Sequence, residues 1–352
     1  MKLTYLRIGL LLFMALILLN CKSSKKETTS KVAQGSENYL VFLDKSTAEN
    51  QIIKDATDGF FESMTIADMS IQLKKSDMPD SGGESKVLYQ DLLRSEMEDF
   101  SEEEKKFMEE VFASAKAAID KVNPKLLPSK IELIKTKTNH YGPDVYYTRE
   151  DAIVVPDNIF EEPSVKDQMP IMLHEIFHIL SRYNKAFREE MYALIGFIEY
   201  NEKLILPKEI SDKLLTNPDG VSRRYAISLK DENGKEQLAL PLIMSTKDRY
   251  ESSMPIFFSY LSFDLFPLIK ITQNQVSLGL NATGGSALSI EHNADFFKQI
   301  KDNTQYIIHP DEIMADNFMM AVIANKNDSF DSFSEEGKQL LKDVLEILRT
   351  YE

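Results

Sequence analysis

At 352 residues and 43% hydrophobic content, the chain is long enough for one large domain or two modest ones and carries a substantial core, which excludes collagen-like and disordered classes. The formal charge is −15 and no Lys/Arg stripe follows the N-terminus, which argues against nucleic acid as a partner because phosphate binding needs a basic face. The single cysteine, Cys21, leaves no intramolecular disulfide to form.

The chain opens with Lys2 and Arg7, and an apolar run from Ile8 to Leu19 is broken only by Gly9. This is short for a bilayer span and has the length of a signal-peptide core. The string Leu18-Leu19-Asn20-Cys21 resembles a bacterial lipoprotein processing site, in which the cysteine is lipidated and becomes the mature N-terminus. The resemblance implies a signal peptide over 1–20, lipid attachment at Cys21, and a cell-envelope location, anchored to a membrane and facing periplasm or exterior. Residues 21–38 are polar and lack an apolar period, as a flexible tether does. One domain is expected over 39–352, with a helical part to about 128 and a metal-site part from about 129.

From Tyr39 the run YLVFL begins the globular pattern, and residues 51–73 carry apolar residues at mixed spacings, most simply helices around Gly59. Pro79 and Gly82-Gly83 mark a loop over 76–84. Ser101 and Glu104 form a capping box that opens a helix to about Val122, and Pro124 and Pro128 stop it. IELIKTKT from Ile131 alternates as a half-buried strand does, and DAIVVP, 151–156, is a second strand.

The stretch that dictates a chemistry is IMLHEIFHIL, 171–180, in a helix expected from Val165 to Tyr183 with Pro170 near its start. Residues four apart share a helix face, so His174 and His178 present two imidazoles to one point, as a metal site requires. Glu175 projects beside the pair, where a carboxylate takes a proton from water activated by the metal. Apolar flanks on both sides fit a helix buried behind a metal cleft. A second helix is expected over 186–200, and a hairpin over 225–244 turning at Asn233-Gly234. Residues 255–290 give no assignable pattern. A helix follows Pro310, with Asp311 and Glu312 in its first turn suiting the helix dipole, and a last helix follows Ser332 with Glu335 as capping partner.

Catalytic zinc takes three protein ligands and keeps one position open. The other histidines are His140, His292 and His309, and position 184 is Asn where the HExxHxxGxxH pattern needs a third His. Two ExxxD strings follow the motif, Glu291 to Asp295 and Glu312 to Asp316, and Glu189 and Glu190 lie on the next helix. Glu312 is favoured: its helix has a clear start at Pro310, and a four-residue step places Glu312 and Asp316 on one side.

The blocks YYTREDAIVVP, LHEIFHILSRYN, REEMYALIGF and HPDEIMADNF resemble those of bacterial zincin metallopeptidases of the gluzincin type, over residues 146–200 and 306–324. The resemblance implies an α+β zincin-like fold, mostly helical with a small sheet beside the HExxH helix, and a substrate peptide lying along the strand before that helix as a sheet edge. It implies one zinc ion held by His174, His178 and Glu312, with Asp316 as partner of a ligand histidine and Glu175 as general base. The activity implied is that of a membrane-anchored zinc metalloendopeptidase acting on a peptide or protein. Tyr192, Arg188, Tyr306 and His309 are candidates to stabilise the oxyanion, by nearness to the motifs. The competing readings are a non-catalytic zinc-binding envelope lipoprotein and a structural protein in which the motif is accidental.

Overall fold

The computed structural model describes residues 39–352 apart from 80, 138, 232–233, 289 and 302, so the leader, Cys21 and the tether lie outside the described residues. Strand β1 (Leu40–Phe42) leads into helices α1 (Lys45–Gln51), α2 (Phe60–Ser63), α3 (Ile66–Leu73) and α4 (Gly82–Ser95), then β2 (Met97–Glu98) and the long α5 (Glu102–Asp120). Local capping sets these starts: Asp44, Thr65 and Ser81 accept from first-turn N–H groups, and Ser101 with Glu104 forms the full capping box of α5. The loop expected over 76–84 ends at Ser81, whose hydroxyl opens α4 so that Gly82 and Gly83 run on as helix.

Strands β3 (Ile131–Thr136), β4 (Tyr147–Arg149) and β5 (Ala152–Pro156) build a sheet of order β1-β3-β5-β4, with β2 antiparallel on β3. The strand at 151–156 is not the edge expected of it. All five residues of β5 are buried between β3 and β4, and the outer edge there is β4. Because β1 pairs with β3 and α5 packs on the next helix, the N-terminal part is built into the layer that carries the site.

Helix α6 (Val165–Tyr183) has the bounds read from sequence, and α7 (Lys185–Leu194) follows it. The helix expected to reach Tyr200 stops at Leu194. Gly196 adopts φ 82°, and a Cβ there would lie 2.5 Å from Gln299 Oε1; β6 (Phe197–Glu199) starts one residue later. Next come β7 (Lys203–Leu204), α8 (Lys208–Ser211), β8 (Tyr225–Lys230), β9 (Glu236–Ser245), β10 (Leu261–Thr272) and β11 (Gln275–Leu278). Among the described residues they form a second, six-stranded sheet of order β6-β8-β9-β10-β11-β7, where one small sheet was expected. The hairpin over 225–244 is β8 and β9; Gly234 takes φ 76° in its turn, and Asn233 lies outside the described residues.

Helices α9 (Ala294–Ile300), α10 (Pro310–Asn327) and α11 (Glu335–Thr350) close the chain. The cap of α11 is Ser334, not Ser332: its hydroxyl accepts from Gly337 N–H. Leu173, Ile176 and Phe177 of α6 pack with Val111 of α5, Phe318 and Val322 of α10, and Leu341 and Leu345 of α11 in the largest core cluster. The architecture is mixed α+β, and no described helix is long and apolar enough to cross a membrane.

Candidate metal centre

The site lies where α6 crosses α10. Helix α10 is buried without a break from Pro310 to Met319, so the carboxylates of its first turns are held inside the protein against α6. His309 caps this helix: Asp311 N–H donates to its Nδ1 at 3.0 Å, and its Nε2–H donates to the Ser222 carbonyl at 3.1 Å. Burial lowers the His309 pKa, which keeps the ring neutral and its Nδ1 an acceptor.

Each histidine of α6 is gripped by one carboxylate of α10 and turned towards another. His174 Nδ1 lies 2.9 Å from Asp316 Oδ1, and its Nε2 is 3.1 Å from Glu312 Oε2. His178 Nδ1 lies 2.6 Å from Asp311 Oδ2, and its Nε2 is 3.5 Å from the same Glu312 oxygen. The other Glu312 oxygen, Oε1, accepts from Asn217 Nδ2 at 2.5 Å. One carboxylate oxygen and two Nε2 atoms therefore face a common point, and the ligand atoms of His174, His178 and Glu312 all lie within 4.8 Å of one another. These groups are positioned to hold a metal ion. Buried His178 Nε2 has no hydrogen-bond partner among the described residues, as fits the lone pair of a metal-ligating imidazole.

The carboxylates behind the histidines are themselves held. Asp316 Oδ2 accepts from the Thr304 hydroxyl, and Asp311 accepts from the Ser181 hydroxyl and, at 2.6 Å, from Tyr192 OH. This is the arrangement that fixes a ligand histidine as its Nδ1–H tautomer. Burial disfavours a charged His174, but hydrogen bonds to Asp316 and Glu312 outweigh it and raise the metal-free pKa to about 10. Burial likewise opposes ionisation of Glu312, yet His178 and His174 hold its carboxyl well below the usual range.

Glu175 is 3% exposed, and its Oε2 is buried without a hydrogen-bond partner among the described residues. Burial and the nearby Asp219 charge push its pKa up to about 8. Access from solvent is on the His174 side, where the imidazole is 13% exposed and Tyr306 stacks on it with ring centroids 6.1 Å apart. Of the other residues singled out near the motifs, Tyr192 is committed to Asp311 and His309 to the helix cap. Arg188 donates to Tyr225 OH and the Ser181 carbonyl. Glu190 and Glu291 are exposed, and Glu189 lies 3.4 Å from Lys185 on α7; none joins the trio.

Sequence reasoning missed Asn217, Asp219 and Arg182, and gave Asp311 only a dipole role. Asn217-Pro218-Asp219-Gly220 reads as a turn signature, with no sign of which helix it meets. Arg182 lies one turn beyond His178 and donates to Thr148 Oγ1, the Glu150 and Pro218 carbonyls and Asp58 Oδ2, so it ties α6 to the sheet edge and the turn. Comparison with protein-family models, curated proteins and solved structures gives no match.

Proposed function

We propose that the protein is a zinc-dependent peptidase of the gluzincin type, with His174, His178 and Glu312 as ligands and Glu175 as general base. The observation that carries this reading is the convergence of two Nε2 atoms and one Glu312 oxygen, with both Nδ1 atoms held by carboxylates. Two imidazoles and one carboxylate are a donor set that suits zinc, and they leave a fourth position open.

A zinc ion there supplies Lewis acidity, which acidifies water and polarises a carbonyl. Asp316 and Asp311 keep the imidazole Nε2 lone pairs aimed at the shared point. Glu175 takes the proton of the attacking water and returns it to the leaving amine. Without a metal, burial and Asp219 push this carboxyl up to about 8; the charge of a bound dication would draw it down towards a base that can take up and return a proton near neutrality. Tyr306, stacked on His174 at the exposed side, is the oxyanion-side candidate that remains once Tyr192, Arg188 and His309 are assigned to structural contacts.

The lipid anchor at Cys21 and the cell-envelope location belong to the same proposal, carried by the lipoprotein-like leader. The burial of Glu175 favours one other reading, a non-catalytic zinc-binding envelope lipoprotein. The two separate on Glu175→Gln. The peptidase reading expects hydrolysis of a mixed peptide library by the zinc-loaded protein and its loss in this variant with zinc content unchanged. Full activity in Glu175→Gln removes Glu175 as the base, and no hydrolysis by the zinc-loaded parent favours the binder.

A further inference from the structure

The peptidase reading leaves the carboxylate of Asp219 without a task. It sits on the segment 214–222, which passes over the metal position. There Thr216 N–H donates to Asp68 Oδ2 at 2.8 Å, Asn217 reaches Glu312, and the Pro218 carbonyl accepts from Arg182 at 2.9 Å. Asp219 Oδ1 accepts two hydrogen bonds from the sheet edge, from the Thr148 N–H at 2.6 Å and the Thr148 hydroxyl at 2.5 Å, and lies 4.0 Å from Arg182 Nη2. The Thr148 N–H points out of β4, away from β5, in the direction where an extended peptide adds a strand. Asp219 has taken that donor. All three β4 residues are buried, so the edge is closed at Thr148 and a carboxylate stands where a backbone N–H would otherwise be offered.

Asp219, Glu175 and His178 also place one ligand atom each within 4.8 Å of one another, the geometry of a cation position. His178 Nε2 has one lone pair and already faces the Glu312 oxygen, so the three do not hold a second metal. What remains is a pair of facing carboxylates, one of them Glu175, which is 3% exposed with a buried Oε2 that has no hydrogen-bond partner among the described residues. Oxygens at that separation suit an ammonium, which makes charge-assisted hydrogen bonds of about 2.8 Å to each side.

We propose, resting on the peptidase reading, that Asp219 is a specificity-determining residue that receives the α-ammonium of a peptide's free N-terminus, so that the cleft takes chain ends and not the interior of a chain. This replaces the endopeptidase expectation with aminopeptidase-type selection.

The test is binding, read without turnover. Full-length cobalt-loaded protein is titrated with leucine hydroxamate and with N-acetyl-leucine hydroxamate, following the visible cobalt absorption. The free amine form binds at least about tenfold more tightly to the parent, the scale of one charge-assisted hydrogen bond. Asp219→Asn removes that preference and leaves the acetylated form's affinity unchanged. Equal binding of the two ligands by the parent overturns the proposal whether or not the variant folds, and so does a preference that survives in Asp219→Asn; both leave the metal site and the peptidase reading standing. Failure to bind cobalt or either hydroxamate overturns this proposal together with the peptidase reading.

Discussion

Replacing Asp316 by Ala tests the link between α10 and the first histidine. In the parent, Asp316 Oδ1 holds His174 Nδ1 at 2.9 Å while Oδ2 accepts from the Thr304 hydroxyl, so the ring is fixed with Nε2 towards Glu312. The variant keeps all three ligands but frees the ring to rotate and to take the other tautomer. Removing such a partner costs about 10–100-fold in metal affinity, or about 1.4–2.8 kcal/mol. The assay is a competition titration of zinc against a chromogenic chelator at fixed pH, with Asp295→Ala, from the other ExxxD string, as the control that leaves affinity unchanged. Thr304→Val loses the brace behind Asp316 together with the acceptor of the Tyr306 N–H, and falls between the two. An affinity unchanged in Asp316→Ala refutes the argument that this carboxylate orients a ligand, and so does a fall of equal size in Asp295→Ala.

The metal-free His174 holds its proton up to about 10, so zinc must displace it, and zinc affinity rises with pH between about 6 and 9; titrations at three pH values check this, and a flat profile contradicts it. The same shift gives the chelated protein a signed stability profile. A histidine raised from about 6.5 to about 10 contributes stability that is fully present below the lower value and is lost as pH rises through the upper one. Thermal melts of the metal-free protein therefore fall in midpoint from pH 7 to 10, and His174→Gln flattens that fall. Gly220→Ala places a Cβ 2.2 Å from His309 Nδ1, the cap acceptor of α10, and costs about 1–3 kcal/mol by overpacking, read in urea melts; a neutral result means the cap has room to move. Ser101→Ala breaks the α5 capping box for about 1 kcal/mol and leaves zinc affinity as it was.

What could be read from sequence was whatever local geometry determines. The four-residue step of His174 and His178 is fixed by the helix itself, and Pro310 marks the start of the helix that carries Glu312 and Asp316. Four kinds of feature escaped. Helix α10 is buried on all sides through its first ten residues, so it has no polar face to show which carboxylates look at α6. Strand β4 spans only three residues, too few for a period, and it displaced β5 from the sheet edge. In β10, Pro267 argues against a strand, yet it sits where pairing passes from β9 to β11, a position that tolerates a residue without an N–H. Asn217 and Asp219 belong to a turn whose partners, Glu312 and Thr148, lie 95 and 71 residues away in sequence, and that relation is tertiary.

The central claim is that residues 134 positions apart, His178 and Glu312, hold one ion together with His174. Zinc content by elemental analysis, on protein purified, stripped and reloaded with limiting zinc, addresses it directly. The account predicts about one zinc per chain in the parent, loss in Glu312→Ala, and retention in Glu291→Ala. Zinc retained in Glu312→Ala at the parent's stoichiometry and affinity, or lost in Glu291→Ala instead, contradicts it.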